Sequence, residues 1–311
     1  NHHDPAHAAP LRRGSRGTCS GRTARKREHK QREALSLARS IMRSSVSHAN
    51  GAEWLGLQLM PDGQHFRLDL INPSLYDGKL GVALFLAGAL KVATGSQRVE
   101  LEAFLSRILK SVFDPLVRST DPRSDRIIRN LGLGMNGFAG ILQGLLLLTQ
   151  LLPNPTPLTE LLQRLVQLCG ETEIARDQHF DLMLGASGAI GPLLRYAAWS
   201  GDSRGLLLAK RCGDHVLAHQ DPKTHAWVQG LKSGGSPLTG LSHGAGGIAL
   251  ALAWLARATQ EPRYLAAAER ATQYEAAQFD PDAGNWPDYR AQQRDAPPAF
   301  MSSWCHGAPG I

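Results

Sequence analysis

Six side chains suited to acid–base or metal chemistry stand at or a few residues before paired glycines: Asp77, Asn136, Asp181, His243, Cys305 and His306. A histidine exchanges protons near neutral pH, a carboxylate orients or charges it, and a thiolate attacks carbon or ligates a soft metal. Taken singly, each has a plainer reading. Asp77 reads as a helix N-cap, Asn136 as a turn residue and a lone histidine as structural. Brought together, they would line an acid–base or metal site.

The elements that would bring them together repeat along the chain. Gly78 to Gly81 precedes the apolar run VALFLAGAL, and Gly137 to Gly140 precedes ILQGLLLL. Gly185 to Gly188 precedes AIGPLLRYAAW, Gly244 to Gly247 precedes IALALAWLA, and Gly307 to Gly310 lies at the end of the sequence. The first glycines are 59, 48, 59 and 63 residues apart, a spacing typical of repeated supersecondary units. Each interval holds a second segment with one apolar stripe: residues 98–116, 157–169, 203–219 and 262–279. The run after each glycine pair is apolar on nearly every side, so it is expected to be buried on both faces. No interval carries a clear alternating strand pattern. Inner helices paired with outer ones predict an all-α fold, an α/α toroid, with inner helices starting near Gly78, Gly137, Gly185 and Gly244. Their starts, and the polar side chains beside them, would share one end of the ring.

Composition narrows the function classes. The 311 residues are 42% hydrophobic and 20% charged, a globular balance. No apolar stretch is long enough to span a membrane, and the first 33 residues lack the apolar core of a secretory signal. The net charge is +7, but residues 11–32 hold nine basic residues against one acid, net +8, which leaves the remainder at −1. The fold is therefore not expected to bind nucleic acid, and residues 1–49 are expected to form a basic arm without fixed structure. Cys19, Cys169, Cys212 and Cys305 are widely spaced with no C-x-x-C pair, which fits a reduced, cytoplasmic protein.

One motif allows a different chemistry. Gly240-Leu241-Ser242-His243-Gly244 reads as G-x-S-x-G, the nucleophile elbow of α/β-hydrolases, with Asp280, Asp282 or Asp288 and His306 following in order. An elbow needs a buried strand before it, and Leu231 to Thr239 is rich in Lys, Ser, Gly and Pro.

Residues 240–249 and Trp304-Cys305-His306-Gly307-Ala308-Pro309-Gly310 resemble two signature motifs of the LanC-like lanthionine cyclases. Tyr76-Asp77-Gly78, with Gly81 and Phe85-Leu86, resembles the first repeat, most closely that of the cyclase half of class II bifunctional lanthipeptide synthetases. The resemblance covers residues 50–311 and implies a seven-unit toroid, of which about five units are visible. It implies a zinc ion held by two Cys and one His, and a dehydrated precursor peptide whose Cys thiol adds to dehydroalanine or dehydrobutyrine. Cys305 is then the first zinc ligand, His243 the acid–base group and Asp181 its charged helper. His306 stands where the family keeps a ring beside the metal, its role open. The other two ligands, a Cys-His pair followed by Gly, are expected in a repeat after Ile311. Both ends read as cut, and residues 1–311 alone are expected not to cyclise. A non-catalytic peptide- or thiol-binding module is the alternative.

Overall fold

In the computed structural model, residues 18–48, 51–60, 65–113, 132–154, 156–228, 236–291 and 299–311 are described. Four helix pairs follow one another. Their inner members are α2 (Lys79–Leu90), α4 (Phe138–Leu151), α7 (Ala186–Ser200) and α9 (Ala245–Thr259). Their outer members are α3 (Gly95–Phe113), α5 (Thr156–Leu168), α8 (Ser203–Ala218) and α10 (Pro262–Ala277). A long helix, α1 (Thr18–Arg43), precedes them, and a short one, α6 (Glu171–Ala175), lies between α5 and α7. Each inner helix packs on the next inner one and on its own outer partner. This is the toroidal arrangement of helix pairs that the sequence period predicts.

The inner helices start where the glycines stand, with Gly78, Gly137, Gly185 and Gly244 at their N-caps. The second glycine of each motif answers to crowding. A methyl group on Gly188 would strike the carbonyl oxygen of Leu182, and one on Gly247 would strike that of Leu241. The loop before each helix folds back over its first turn, and only glycine leaves room. On α4, Phe138, Ile141, Leu142, Leu145, Leu146 and Leu148 are all buried, as a helix covered on both sides requires. On α8 the buried set is Gly205, Leu208, Ala209, Cys212, Gly213 and Val216, one stripe at 3.6-residue spacing.

One expectation needs correction. Residues 1–17 of the basic arm lie outside the described residues, but 18–43 form α1 rather than an unstructured tail. Its last turns pack into the body: Ala38 and Met42 are buried, and Trp54 Nε1 donates to the Ile41 carbonyl at 3.0 Å. The apolar spacing of Leu35, Ala38, Ile41 and Met42 outweighs the basic residues upstream. Short strands also occur. β1 (Val46–His48) pairs with β2 (Gly51–Glu53), and β3 (Leu55–Leu59) with β4 (Phe66–Leu70). β5 (Pro287–Asp288) pairs with β6 (Ala299–Phe300). All three are isolated antiparallel pairs, so they do not alter the helical architecture. Among the described residues no helix is long and apolar enough to cross a membrane.

Candidate active site

The loops before the inner helices are stitched edge to edge by backbone bonds. Met135 and Asn136 N–H donate to the carbonyls of Leu182 and Met183, at 3.0 and 2.9 Å. Met183 N–H donates to Ser242 O at 3.3 Å, and Ser242 N–H to Cys305 O at 3.2 Å. The result is a collar in which the loops carrying Asn136, Asp181, His243 and Cys305 are consecutive neighbours. The first loop meets the last through an edge-to-face pair, Tyr76 on Trp304, with ring centroids 5.5 Å apart.

On this collar Asp181 and His243 form a close pair. Asp181 is fully buried, and its Oδ2 lies 2.8 Å from His243 Nδ1. Its Oδ1 accepts the Leu184 N–H at 2.7 Å, which fixes the carboxylate plane. A carboxylate partner assigns the histidine proton to Nδ1, so the ring is held in one tautomer. The His243 side chain keeps a quarter of its surface exposed. The arrangement is a buried anion holding a histidine that reaches solvent.

His306 and Cys305 are adjacent but differ in environment. The His306 ring lies beside that of His243, centroids 5.9 Å apart and nearly parallel, and it is buried, with Nε2 3.3 Å from Ser242 Oγ. Burial holds its pKa below the ordinary histidine value, and the nearby Arg290 cation adds to the effect. His306 is therefore a neutral ring at pH 7, packed behind His243. Cys305 is half-buried and carries a free thiol, 2.9 Å from Ser303 Oγ.

The implied zinc is only partly provided for. Cys305 offers one thiol, His306 is engaged with Ser242, and no group of three His, Cys, Asp or Glu side chains among the described residues could hold a metal ion. A catalytic zinc needs three protein donors. The described residues do not complete that set.

The hydrolase alternative fails on the same geometry. Ser242 is buried, and residues 236–239 before it are not a strand; 229–235 lie outside the described residues. Asp288 is bound to Arg290 through two bonds, at 2.9 and 2.6 Å, and Asp280 accepts the N–H groups of Asp282 and Ala283 within its own turn. Asp77 does not cap α2, whose N-cap is Gly78. Instead it accepts from Asn72 Nδ2 and Ser74 Oγ, at 2.9 and 2.8 Å, and braces its own loop.

The sequence matches the family described as Lanthionine synthetase C-like protein over residues 69–311, more than three quarters of its length. The chain belongs to that family. The fold of this lanthionine synthetase C-like chain is similar to that of a solved structure, nisin cyclase, with a TM-score of 0.58 and 15% sequence identity, covering 92% of this chain and 68% of that one. No curated protein matches the sequence.

Two further residues near the site carried no motif. Arg290, paired with Asp288, also approaches Met301 Sδ at 3.7 Å on the loop leading to Cys305. Glu275 on α10 is buried, and its Oε1 accepts the N–H groups of Gly240 and Gly246, at 2.9 and 2.6 Å. Glu275 could have been found in the sequence. It continues the stripe Tyr264, Ala267, Ala268 and Ala271, where an apolar residue belongs.

Proposed function

We propose that this lanthionine synthetase C-like chain carries the machinery for closing lanthionine rings, with a dehydrated precursor peptide as substrate. The observation that supports it most is the Asp181–His243 pair at the collar. In the proposed reaction a peptide Cys sulfur forms a bond to the β-carbon of dehydroalanine or dehydrobutyrine. The electron pair of the alkene moves to the α-carbon as an enolate. His243 takes up the thiol proton and returns it to that α-carbon, so the addition is proton-neutral. Asp181 fixes the imidazole and offsets its charge while the proton is held. His306, kept neutral by burial, gives His243 a flat, uncharged neighbour.

Cys305 is the proposed zinc ligand, with its remaining donors outside the described residues. Zinc bound there would favour the thiolate form of the substrate Cys. A cytoplasmic location, where thiols stay reduced, suits this chemistry. The near-neutral body leaves nucleic acid without a part in it.

The test is ring closure in a peptide containing one dehydroalanine and one Cys, read as loss of the maleimide-reactive thiol without change in mass. It uses a chain that supplies the remaining zinc donors. Closure that depends on His243 is expected. Closure unaffected by His243→Asn would overturn the reading. The incomplete donor set favours one second reading, a module that binds peptide or thiol without catalysis. Peptide binding with no closure, even with donors supplied, would establish it.

A further inference from the structure

The two members of the dyad sit on loops, and each loop is gripped from outside by a buried carboxylate. Around Asp181 the gripping residue is Asp177, whose oxygens accept the N–H groups of His179, Phe180 and Ala186 at 3.0, 3.2 and 2.8 Å. Its side chain is 3% exposed. It thus ties both ends of the Asp181 loop to one point, including the first residue of α7. Around His243 the arrangement recurs with a residue from a different element. One oxygen of Glu275 takes Gly240 N–H, three residues before His243, and Gly246 N–H, three residues after it. Gly246 is the second residue of α9, where a helix has unsatisfied N–H groups and favours an anion. Gly244, the N-cap, has no side chain to do this.

We propose that Glu275 is a positioning residue for His243: by bridging Gly240 and Gly246 it sets the loop that delivers the imidazole to Asp181. The proposal rests on the reading of His243 as the acid–base group. A residue of helix packing alone would not need a buried carboxylate. Here the other oxygen, Oε2, is buried with no hydrogen-bond partner among the described residues. Such a group is costly, and it is retained where its bonds are needed.

Burial pushes the Glu275 pKa up to about 7, against the opposing pull of the two backbone donors, and no charged side chain contributes. The ionisable groups on the elements around it are otherwise engaged or distant. On α8, Lys210 and Asp214 pair with Glu261 and Arg263, at the far end of α10. Asp288 and Arg290 hold each other, and His243 and His306 belong to the collar. Tyr274 precedes Glu275 on α10 and donates to the Pro237 carbonyl, and Arg257 lies in the last turn of α9. Titration of the carboxylate near neutrality therefore reports on the bridge itself.

The experiment is NMR on the 311-residue chain labelled at glycine and histidine nitrogens. Expected in the native chain is one shared midpoint near neutrality for the Gly240 and Gly246 amides, with the His243 Nδ1–H resonance protected from exchange. Glu275→Gln keeps an acceptor oxygen but cannot ionise. It should abolish the shared titration and leave all three signals protected from exchange. Glu275→Ala should lose the His243 signal and raise exchange at both glycines at least tenfold. If Glu275→Ala fails to fold, the native chain and Glu275→Gln still decide. A His243 signal that keeps its protection in Glu275→Ala, or glycines that do not titrate together, would overturn the proposal. None of these readouts requires ring closure, so failure of the cyclase reading and failure of this one are separable.

Discussion

His243 Nδ1 and Asp181 Oδ2 meet at 2.8 Å across 62 residues of sequence, joining the loop before α9 to the loop before α7. Because Asp181 is fully buried and His243 is not, the carboxylate acts only through the imidazole. His243→Asn removes the proposed proton carrier and should slow ring closure by about 10²-fold or more, as loss of a positioned acid–base group does. Asp181→Asn leaves the imidazole in place but weakens its tautomer and charge support. It should cost about 10- to 100-fold in kcat with little change in KM. Steady-state kinetics on the dehydrated peptide, with a chain that supplies the remaining zinc donors, measures both, and circular dichroism checks the fold. An Asp181→Asn variant at full rate would detach Asp181 from the mechanism.

Cys305 is the only proposed metal donor among the described residues, so the chain should bind zinc weakly. Metal analysis after dialysis should find well below one zinc per 311-residue chain, because fewer than three donors neither neutralise nor enclose the ion. Cys305→Ala should remove what remains and leave helicity unchanged, since among the described residues the half-buried thiol bonds only to Ser303 Oγ. One tightly held zinc per chain would mean that donors exist outside the described residues of this same sequence.

The helical part of this fold was legible because two periodicities agree. The 48- to 63-residue spacing of glycine pairs gave the repeat, and the 3.6-residue stripes gave the outer helices, such as Ser203–Ala218 within the expected 203–219. The hairpin of β3 and β4 carried an equally readable signal that the repeat pattern overshadowed. Leu55, Leu57 and Leu59 alternate with Gly56 and Gln58, and Phe66, Leu68 and Leu70 with Arg67 and Asp69, around Pro61-Asp62-Gly63. In the site, residues next to glycines were easy to nominate. Which of them touch depends on the cross-loop bonds of the collar, and no local pattern encodes those. Glu275 and Arg290 lie outside the motifs altogether, one as a polar residue on an apolar stripe and the other on an irregular segment.

Glu275 also sets a stability signature. Its pKa is raised by burial from the ordinary carboxylate value of 4.5 to about 7. The folded state therefore binds this proton more tightly than the unfolded chain does. The associated stability is fully present below about pH 4.5 and is lost as pH rises through about 7, a change of about 3 kcal/mol for this group. Glu275→Gln has no proton to lose. The melting temperature of the variant minus that of the native chain should become more positive from pH 5 to pH 8. A difference independent of pH would mean that the carboxylate is not desolvated as its burial indicates.

A buried ion pair fastens the segment before the family match to the toroid. Lys79, the first residue of α2, reaches Glu53 Oε1 on β2 at 2.9 Å, with the two side chains only 8% and 11% exposed. Lys79 Nζ also lies 3.3 Å from Ser111 Oγ on α3, while Glu53 Oε2 is buried without a hydrogen-bond partner among the described residues. A buried pair adds little net stability over an apolar pair, because both charges are desolvated, but removing one partner strands the other. Lys79→Met should therefore destabilise the chain by about 3–5 kcal/mol, since it leaves the Glu53 carboxylate buried beside a thioether, with only the more exposed His48 ring 3.9 Å away. Lys79→Met combined with Glu53→Leu should recover most of that loss. Denaturant unfolding of the two variants measures the difference between them. A single variant within about 1 kcal/mol of the native chain would mean that Glu53 escapes to water, and that the β1–β2 hairpin is not fixed to α2 by this pair.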